Sequence, residues 1–252
     1  MRFDIITIFP EVFENYFNTS ILKRAQEKKF IKIKIHNLRH WTRDKHKQVD
    51  DRPYGGGPGM VIRADIIYKA IVALTKLKVS VSLPGQGGES RLRSGKNEKL
   101  KIILLTPAGK QFDQEIAQRY SKLDRLILIC GRYEGVDARV AKFVDEEISV
   151  GPYVLTGGEL PAMLIVDAVT RLIPGVIKAE SLEEETFGFA QSANKIKDFE
   201  RIGEYPQYTR PEVFTYKDES GRIKKLRVPK VLLSGDHKKI KDWREKKSKF
   251  AI

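Results

Sequence analysis

The stretch RLILICGRYEGVDARVAKFVDEEISVGPYVLTGG, Arg125 to Gly158, decides the fold. It opens on an uninterrupted apolar run, Leu126 to Cys130, closed by Gly131. A run of strand length without polar alternation predicts a strand buried on both faces, the habit of parallel sheets. A short helical segment follows, carried by Val136, Val140, Phe143 and Val144, and a second strand, Glu147 to Val150, runs into Gly151. Upstream, Lys101 to Leu105 predicts a strand that runs into Thr106-Pro107-Ala108-Gly109. Three predicted strands therefore end near glycine, at Gly109, Gly131 and Gly151. Ligands of α/β sheets settle beyond the carboxyl ends of strands, and glycine lets backbone approach them closely. The three loops are expected to form one small-molecule pocket.

Working outward, 252 residues suffice for one sizeable core, or for a main domain with a small one beside it. A hydrophobic fraction of 41% is that of an ordinary soluble globular protein. The formal net charge of +14 points to a polyanionic partner, nucleic acid or an anionic membrane surface. A single cysteine, Cys130, excludes an intrachain disulfide and fits a reducing cytoplasm. Ile5 to Phe9, stopped by Pro10, is too short for a secretory signal, and no apolar run reaches membrane-spanning length.

Phe3 to Phe9 predicts a first strand, and Pro10 starts a helix with apolar residues at Val12, Phe13, Tyr16, Phe17 and Ile21. Phe30 to Ile35 alternates apolar and basic residues and predicts a strand with one solvated face. His36, His40 and His46 follow in a basic polar stretch whose spacing suits no metal site. Pro53 to Gly59 holds four glycines and two prolines in seven residues, which no helix or central strand accepts. Two readings stay open for this loop: a flexible surface loop, or one that shapes a substrate with Asp50 and Asp51 as acceptors. Helices are predicted over 64–77 and 111–123, and from Pro161 through Leu172; a basic surface insertion occupies the region about Pro84 to Lys99. A linker with an acidic run, Glu183 to Glu185, leads to a small basic domain with a hairpin turning at Asp218 to Gly221 and a final helix carrying Ile240 and Trp243, which Ser234 is placed to cap. Residues 222–252 carry 12 Lys/Arg against 3 Asp/Glu, a net of +9, so most of the chain's positive charge sits in its tail as a phosphate-binding surface. The domains are thus expected at 1–177, with a linker over 178–202 and the small domain over 203–252.

Neither a G-x-G-x-x-G after a strand nor a G-x-x-x-x-G-K-[ST] occurs, which disfavours dinucleotide and P-loop binding. No zinc spacing is present. Cys130, inside an apolar strand, reads as a small buried hydrophobe rather than a nucleophile. Arg132 and Glu134, in the loop after that strand, either bind a cationic ligand or pair with each other on the surface.

Several long motifs together supply a reaction. VDDRPYGGGPGM (Val49 to Met60), CGRYEGVD (Cys130 to Asp137), GPYVLTGGELPAM (Gly151 to Met163), RLIPGV (Arg171 to Val176), YTRPEV (Tyr208 to Val213) and VLLSGDH (Val231 to His237) resemble, in order and spacing, the bacterial tRNA (guanine-N1-)-methyltransferase family. The resemblance implies a SPOUT-type parallel-sheet α/β domain whose C-terminal part is tied in a trefoil knot, followed by a small, mainly helical basic domain. It implies a cytoplasmic homodimer with active sites shared between subunits, and methyl transfer from S-adenosylmethionine to N1 of the guanine just 3′ of the anticodon, position 37 of tRNA. The residues matching the cofactor site are Pro107, Gly109, Gly131, Tyr133, Glu134 and the run Val150, Gly151, Pro152, Tyr153, Val154 and Leu155, with Gly157 and Gly158 nearby. Those matching the tRNA contacts are Asp50, Arg52, Pro58, Gly59, Arg210 and Ser234.

Methylation at guanine N1 needs the methyl group in line, a base for the N1 proton, and a cation for charge that develops toward O6. Arg171 stands at the family's arginine position for the last role; a plain arginine favoured by a helix C-terminus is the alternative. The family places an aspartate in the linker as base, and Glu185 aligns there; a second family aspartate is replaced by Glu204. Glu134, beside the methyl donor, either favours the sulfonium charge or holds a metal such as Mg2+. The insertion near Pro84 is longer than in the family, and the tail ends at Ile252 where many relatives continue, so the +9 charge is expected to offset lost contact area and to make tRNA binding steeply salt-dependent. Three other readings compete: a ribose 2′-hydroxyl methyltransferase of the same superfamily, an RNA-binding module that keeps only the cofactor pocket, and a membrane-surface protein. The last lacks an amphipathic apolar face.

Overall fold

A five-stranded sheet in which every neighbouring pair is parallel organises the first part of the chain. The structure is a computed structural model and describes residues 1–75, 98–178 and 205–248. Two units are present, Met1–Ile177 and Lys178–Ile252.

The first unit runs β1 (Arg2–Thr7), a 3-10 turn at Pro10–Phe13, α1 (Glu14–Phe17), α2 (Ser20–Glu27), β2 (Lys32–Asn37), a 3-10 turn at Leu38–Trp41, the short strands β3 (Asp50–Asp51) and β4 (Val61–Ile62), and α3 (Ala64–Thr75). It continues with β5 (Leu100–Gln111), α4 (Gln114–Ser121), β6 (Arg125–Cys130), a 3-10 turn at Ala138–Phe143, β7 (Glu146–Ser149) and α5 (Glu159–Arg171). Strand order is β2-β1-β6-β5-β7, while β3 and β4 form a separate antiparallel pair.

All of β6 is buried. Leu126, Leu128 and Cys130 enter one core with Phe3, Phe13, Tyr120, Ile165 and Val169, and Ile127 and Ile129 enter the other with Ile6, Ile67 and Ile71. Because both faces are covered, every position of the strand rewards an apolar side chain, at roughly 1.5–3 kcal/mol for each large one. One polar group is held inside the second face. Asp4 is fully buried and accepts hydrogen bonds from Arg2 (2.7 Å) and Arg125 (2.7 Å), with His36 Nε2 at 2.6 Å. Burial alone would push this carboxyl up; the hydrogen bonds from His36, Arg2 and Arg125 outweigh it and hold the pKa at about 2. His36 is thus a structural partner of Asp4.

Two elements depart from their sequence patterns. The expected helix from Pro10 is a 3-10 turn and two short helices, interrupted at Asn18 and Thr19, with Ser20 at a φ of 48°. The break turns α2 so that Leu22 and Ala25 reach the core, while Val12 and Tyr16 stay exposed. Strand β5 does not end at Leu105. It pairs with β7 through Leu105, lets Thr106 to Gly109 bulge out, and resumes pairing with the same strand at Lys110 and Gln111.

The second unit contains β8 (Val213–Lys217) and β9 (Ile223–Arg227) as an antiparallel hairpin, a 3-10 turn at Lys230–Leu233 and α6 (His237–Ser248). A hairpin and one helix share it among the described residues. The final helix is capped by Asp236, whose Oδ1 accepts from Lys239 N (3.1 Å), and not by Ser234. Ser234 instead donates to Val231 O (2.7 Å) and closes the preceding turn. Trp243 packs on Tyr208, and Arg244 lies over the Tyr205 ring at 4.7 Å. The linker Glu183 to Glu185 and most of the Pro84 to Lys99 insertion lie outside the described residues.

Candidate active site

A cavity of about 500 Å³ opens beyond the carboxyl ends of β6 and β7, beside the bulge of β5. That size falls in the roughly 300–1,000 Å³ range of small-molecule sites. Its walls are the bulge of β5, the 131–138 loop and the 150–158 loop. Among the residues matched to a cofactor site, Pro107, Gly131, Tyr133, Glu134, Val150, Tyr153, Val154, Leu155, Gly157 and Gly158 line it. Gly109, Gly151 and Pro152 do not. A Cβ at Gly109 would lie 2.5 Å from the backbone of Glu147 and Ile148, so this glycine seats the bulge of β5 against β7. A Cβ at Gly151 would strike the Tyr153 ring at 2.3 Å, so it seats that aromatic.

The two loops are stitched to each other. Gly158 N donates to Gly131 O (2.9 Å), and Arg132 and Gly157 form an antiparallel bridge. A Cβ on Gly158 would come within 2.6 Å of Cys130 Cα, a contact with backbone that cannot swing away. Arg132 therefore does not pair with Glu134. Its Nε donates to Glu159 Oε2 (2.8 Å), its Nη1 donates to Thr156 O (3.2 Å), and its guanidinium stacks over Phe9. Glu159 is almost fully buried at the start of α5, where the helix N-terminus favours a negative charge, and Thr7 donates to its other oxygen (2.7 Å). This Thr7–Glu159–Arg132 chain ties the end of β1 to both cavity loops, and the sequence reading assigns no role to Glu159 or Thr7. The available signal was an acidic residue directly after a glycine pair at a helix start.

The glycine-rich loop reaches the same mouth. Strand β4 docks on the 131–137 loop: Ile62 N donates to Gly135 O (3.0 Å), Asp137 N to Ile62 O (3.0 Å) and Glu134 N to Met60 O (3.0 Å). Gly59, at a φ of 75°, lies so close to Glu134 that a Cβ would sit 2.5 Å from its side chain. Gly59 and Glu134 are thus brought together, whereas Asp50 in β3, Arg52 and Pro58 stand on the rest of this hairpin and do not line the cavity. The Glu134 carboxylate is exposed, with no hydrogen-bond donor among the described residues. Asp137, also on the wall, is held below the usual carboxylate range, first by Arg139. Burial, reinforced by nearby Glu159, pushes the Cys130 thiol well up and makes it inert.

Arg171 lies apart. It ends α5, about 15 Å along the helix axis from the cavity-lining Pro161. It follows exposed Leu160 and Leu164 along the helix, where Arg171 and Asp167 are half-buried, and Asp167 accepts a hydrogen bond from Tyr16. That bond and the burial around it raise the Tyr16 hydroxyl to about 12. Arg210 and Ser234 belong to the second unit. Glu185 and Glu204 lie outside the described residues. Among the described residues no three His, Cys, Asp or Glu side chains gather into a metal site, and no helix is long and apolar enough to cross a membrane.

Comparison with known proteins agrees with this layout. The family model described as tRNA (Guanine-1)-methyltransferase TrmD matches residues 1–251. A tRNA (guanine-N(1)-)-methyltransferase of Dictyoglomus turgidum is 47% identical over 249 residues, covering 98% of this chain and 85% of the relative. Proteins of the same name from Moorella thermoacetica (44%, covering 98% and 85%) and Caldanaerobacter subterraneus subsp. tengcongensis (45%, covering 98% and 87%) are similar along the same span. With a parallel sheet, a cavity at its carboxyl edge and a match from end to end, the chain belongs to the tRNA (guanine-1)-methyltransferase family.

Proposed function

We propose that this protein transfers a methyl group from S-adenosylmethionine to N1 of the guanine immediately 3′ of the anticodon, position 37, of tRNA in the cytoplasm. The observation that carries the reading is the cavity formed where two of the family's motifs, Cys130 to Asp137 and Gly151 to Met163, meet beyond the strands.

The wall fits the cofactor. Leu104, Pro107, Val150 and Leu155 offer apolar surface for an adenine, and the glycines of both loops bare backbone polar groups for its edge and ribose. Glu134 adds one negative charge, suited to a sulfonium. S-adenosylmethionine, when bound, supplies an electrophilic methyl group. The braced 131–135 and 150–158 loops fix where that group is presented, so orientation is settled before the substrate arrives.

Arg171 is the cation for O6, and it works across an interface with a second copy. Its distance from its own cavity favours this, as do exposed Leu160 and Leu164 on α5 and exposed Val12 on the Pro10–Phe13 turn that packs against that helix. The trefoil knot that the family implies is supported by the stitching of the two cavity loops and the packing of α5 on β1 and β6. The N1 proton goes to Glu185. Glu185→Gln is expected to lower turnover about a hundredfold or more while leaving cofactor affinity within about twofold; unchanged turnover moves the role to Glu184 or Glu204.

The direct test is nucleoside analysis of unmodified tRNA carrying guanine at position 37, incubated with the protein and S-adenosylmethionine. N1-methylguanine at that position is the expected product. A 2′-O-methylated nucleoside, or no methylation with the cofactor bound, would overturn the reading.

A further inference from the structure

The β8–β9 hairpin has no use in the cavity chemistry, and its surface is unusual. Both strands are exposed along almost their whole length. Directly opposed residues of an antiparallel pair share a face, so the register places Phe214, Tyr216, Lys224 and Leu226 on one side. Phe214 is 54%, Tyr216 40% and Leu226 56% exposed. The two rings lie parallel within 11°, with centroids 6.0 Å apart. The other side carries Val213, Thr215, Lys217, Ile223, Lys225 and Arg227.

The ribbon is nevertheless well made. Asp218 Oδ1 accepts from Ser220 N (3.0 Å), Ser220 Oγ (2.6 Å) and Arg222 N (3.0 Å), and Gly221 takes a φ of 76° to close the turn. These bonds hold the Asp218 carboxyl below its ordinary range, first through Ser220. A two-stranded ribbon with a bared aromatic face is marginal alone in water, so the tight turn holds in place a face that is exposed among the described residues.

We propose that this ribbon is a stacking platform for unpaired RNA nucleotides, with bases lying on Phe214 and Tyr216 and phosphates met by Lys224 and by Lys217, Lys225 and Arg227 on the opposite side. The proposal deepens the tRNA reading by naming what the second unit grips. Charge selects the occupant. Residues 213–227 hold five Lys/Arg against two Asp/Glu, and a second copy of a chain carrying +14 would bring like charge against it. RNA brings phosphates for the lysines and flat bases for the rings, and stacking is tolerant of sequence because every base has a π-face. A duplex hides its bases and gains nothing from the rings.

The test uses the full chain and two labelled probes, a decauridylate and an RNA duplex of equal length. The variant is Phe214→Leu with Tyr216→Leu, which keeps apolar bulk on the hairpin but removes the π-faces; circular dichroism confirms the fold. The dissociation constant for decauridylate is expected to rise about tenfold or more, while that for the duplex moves by less than about twofold. A Phe214→Trp and Tyr216→Trp variant is expected to restore decauridylate binding. Unchanged decauridylate binding in the leucine variant, an equal loss on both probes, or a change of oligomeric state in sedimentation would each overturn the platform. Methylation of tRNA is followed in parallel. Aromatic-dependent decauridylate binding without N1-methylguanine leaves the platform standing and sinks the enzyme reading; methylation with decauridylate indifferent to the rings does the reverse.

Discussion

The loops that wall the cavity and the β8–β9 ribbon are both short stretches of backbone that meet solvent, yet they are held in different ways. The cavity loops are braced from three directions: by backbone bonds to each other, by strand β4 across the glycine-rich loop, and by Arg132 anchored on buried Glu159. Among the described residues, the ribbon is braced by its own ladder and the Asp218 turn. A small ligand that must present one atom in line with another needs walls set beforehand, because misplacement of about 1 Å can cost a hundredfold in rate. A surface that receives flexible polyanion works with charge and flat rings, and loses little by moving. The difference in bracing therefore matches the difference in work.

That contrast can be broken by mutation, and the effects should fall in order. The largest is expected at Gly109→Ala. The new methyl meets Glu147 and Ile148 backbone at 2.5 Å, so β7 must move, at about 1–3 kcal/mol of stability or more and with cofactor binding lost in calorimetry. Next comes Glu159→Gln. It removes the charge that holds Arg132, costing about 2–3 kcal/mol in denaturant melts and weakening cofactor binding about tenfold, while RNA binding through the second unit is unchanged. Equal losses of both activities would mean that the two regions are not held independently.

Acid gives a third test, at the far end of the sheet. The Asp4 pKa is lowered on folding to about 2. Its ionised form therefore stabilises the fold at pH above the unfolded value near 4, and that contribution is lost as pH falls through about 2. The size is roughly 2 kcal/mol. Denaturant midpoints should fall over that window, and Asp4→Asn should flatten the fall while destabilising the protein at neutral pH, where buried Arg125 keeps only the more distant Glu98, at 4.0 Å, as counter-charge. The smallest effect is expected from the Phe214→Leu and Tyr216→Leu ribbon variant, whose melting should match the unaltered protein within about 0.5 kcal/mol; a larger drop would mean that the rings are held by the protein itself.

The central strand and the cavity below it were legible because their signals are local. Leu126 to Cys130 is apolar without interruption, and Gly131 follows at once. Other features depend on partners that local pattern does not name. The period of Val12, Phe13, Tyr16, Phe17 and Ile21 looks like one helix, and nothing in it announces that the chain turns at Asn18. Thr106-Pro107-Ala108-Gly109 looks like the end of a strand, because the resumption of pairing at Lys110 depends on β7, more than thirty residues later. The Arg132–Glu159 pair is 27 residues apart and meets only once α5 has returned beside β6. Asp236 rather than Ser234 caps α6 because the chain makes one more turn before the helix starts. Gly109 and Gly151, which the resemblance matches to the cofactor site, each also seat a neighbour that lines the cavity, a contact that local pattern does not name.

The bulge of β5 carries a further consequence. Because the strand pairs with β7 both before and after Thr106 to Gly109, the number of residues in the bulge is fixed at both ends, like a link cut to length. A change of residue type inside it alters the lining of the cavity. A change of length by one residue slips Lys110 and Gln111 against Ile148 and Ser149 and turns their side chains to the opposite face. Sequence drift in this loop can therefore exchange letters at Thr106 to Ala108, but it can neither replace Gly109 cheaply nor change the number of residues.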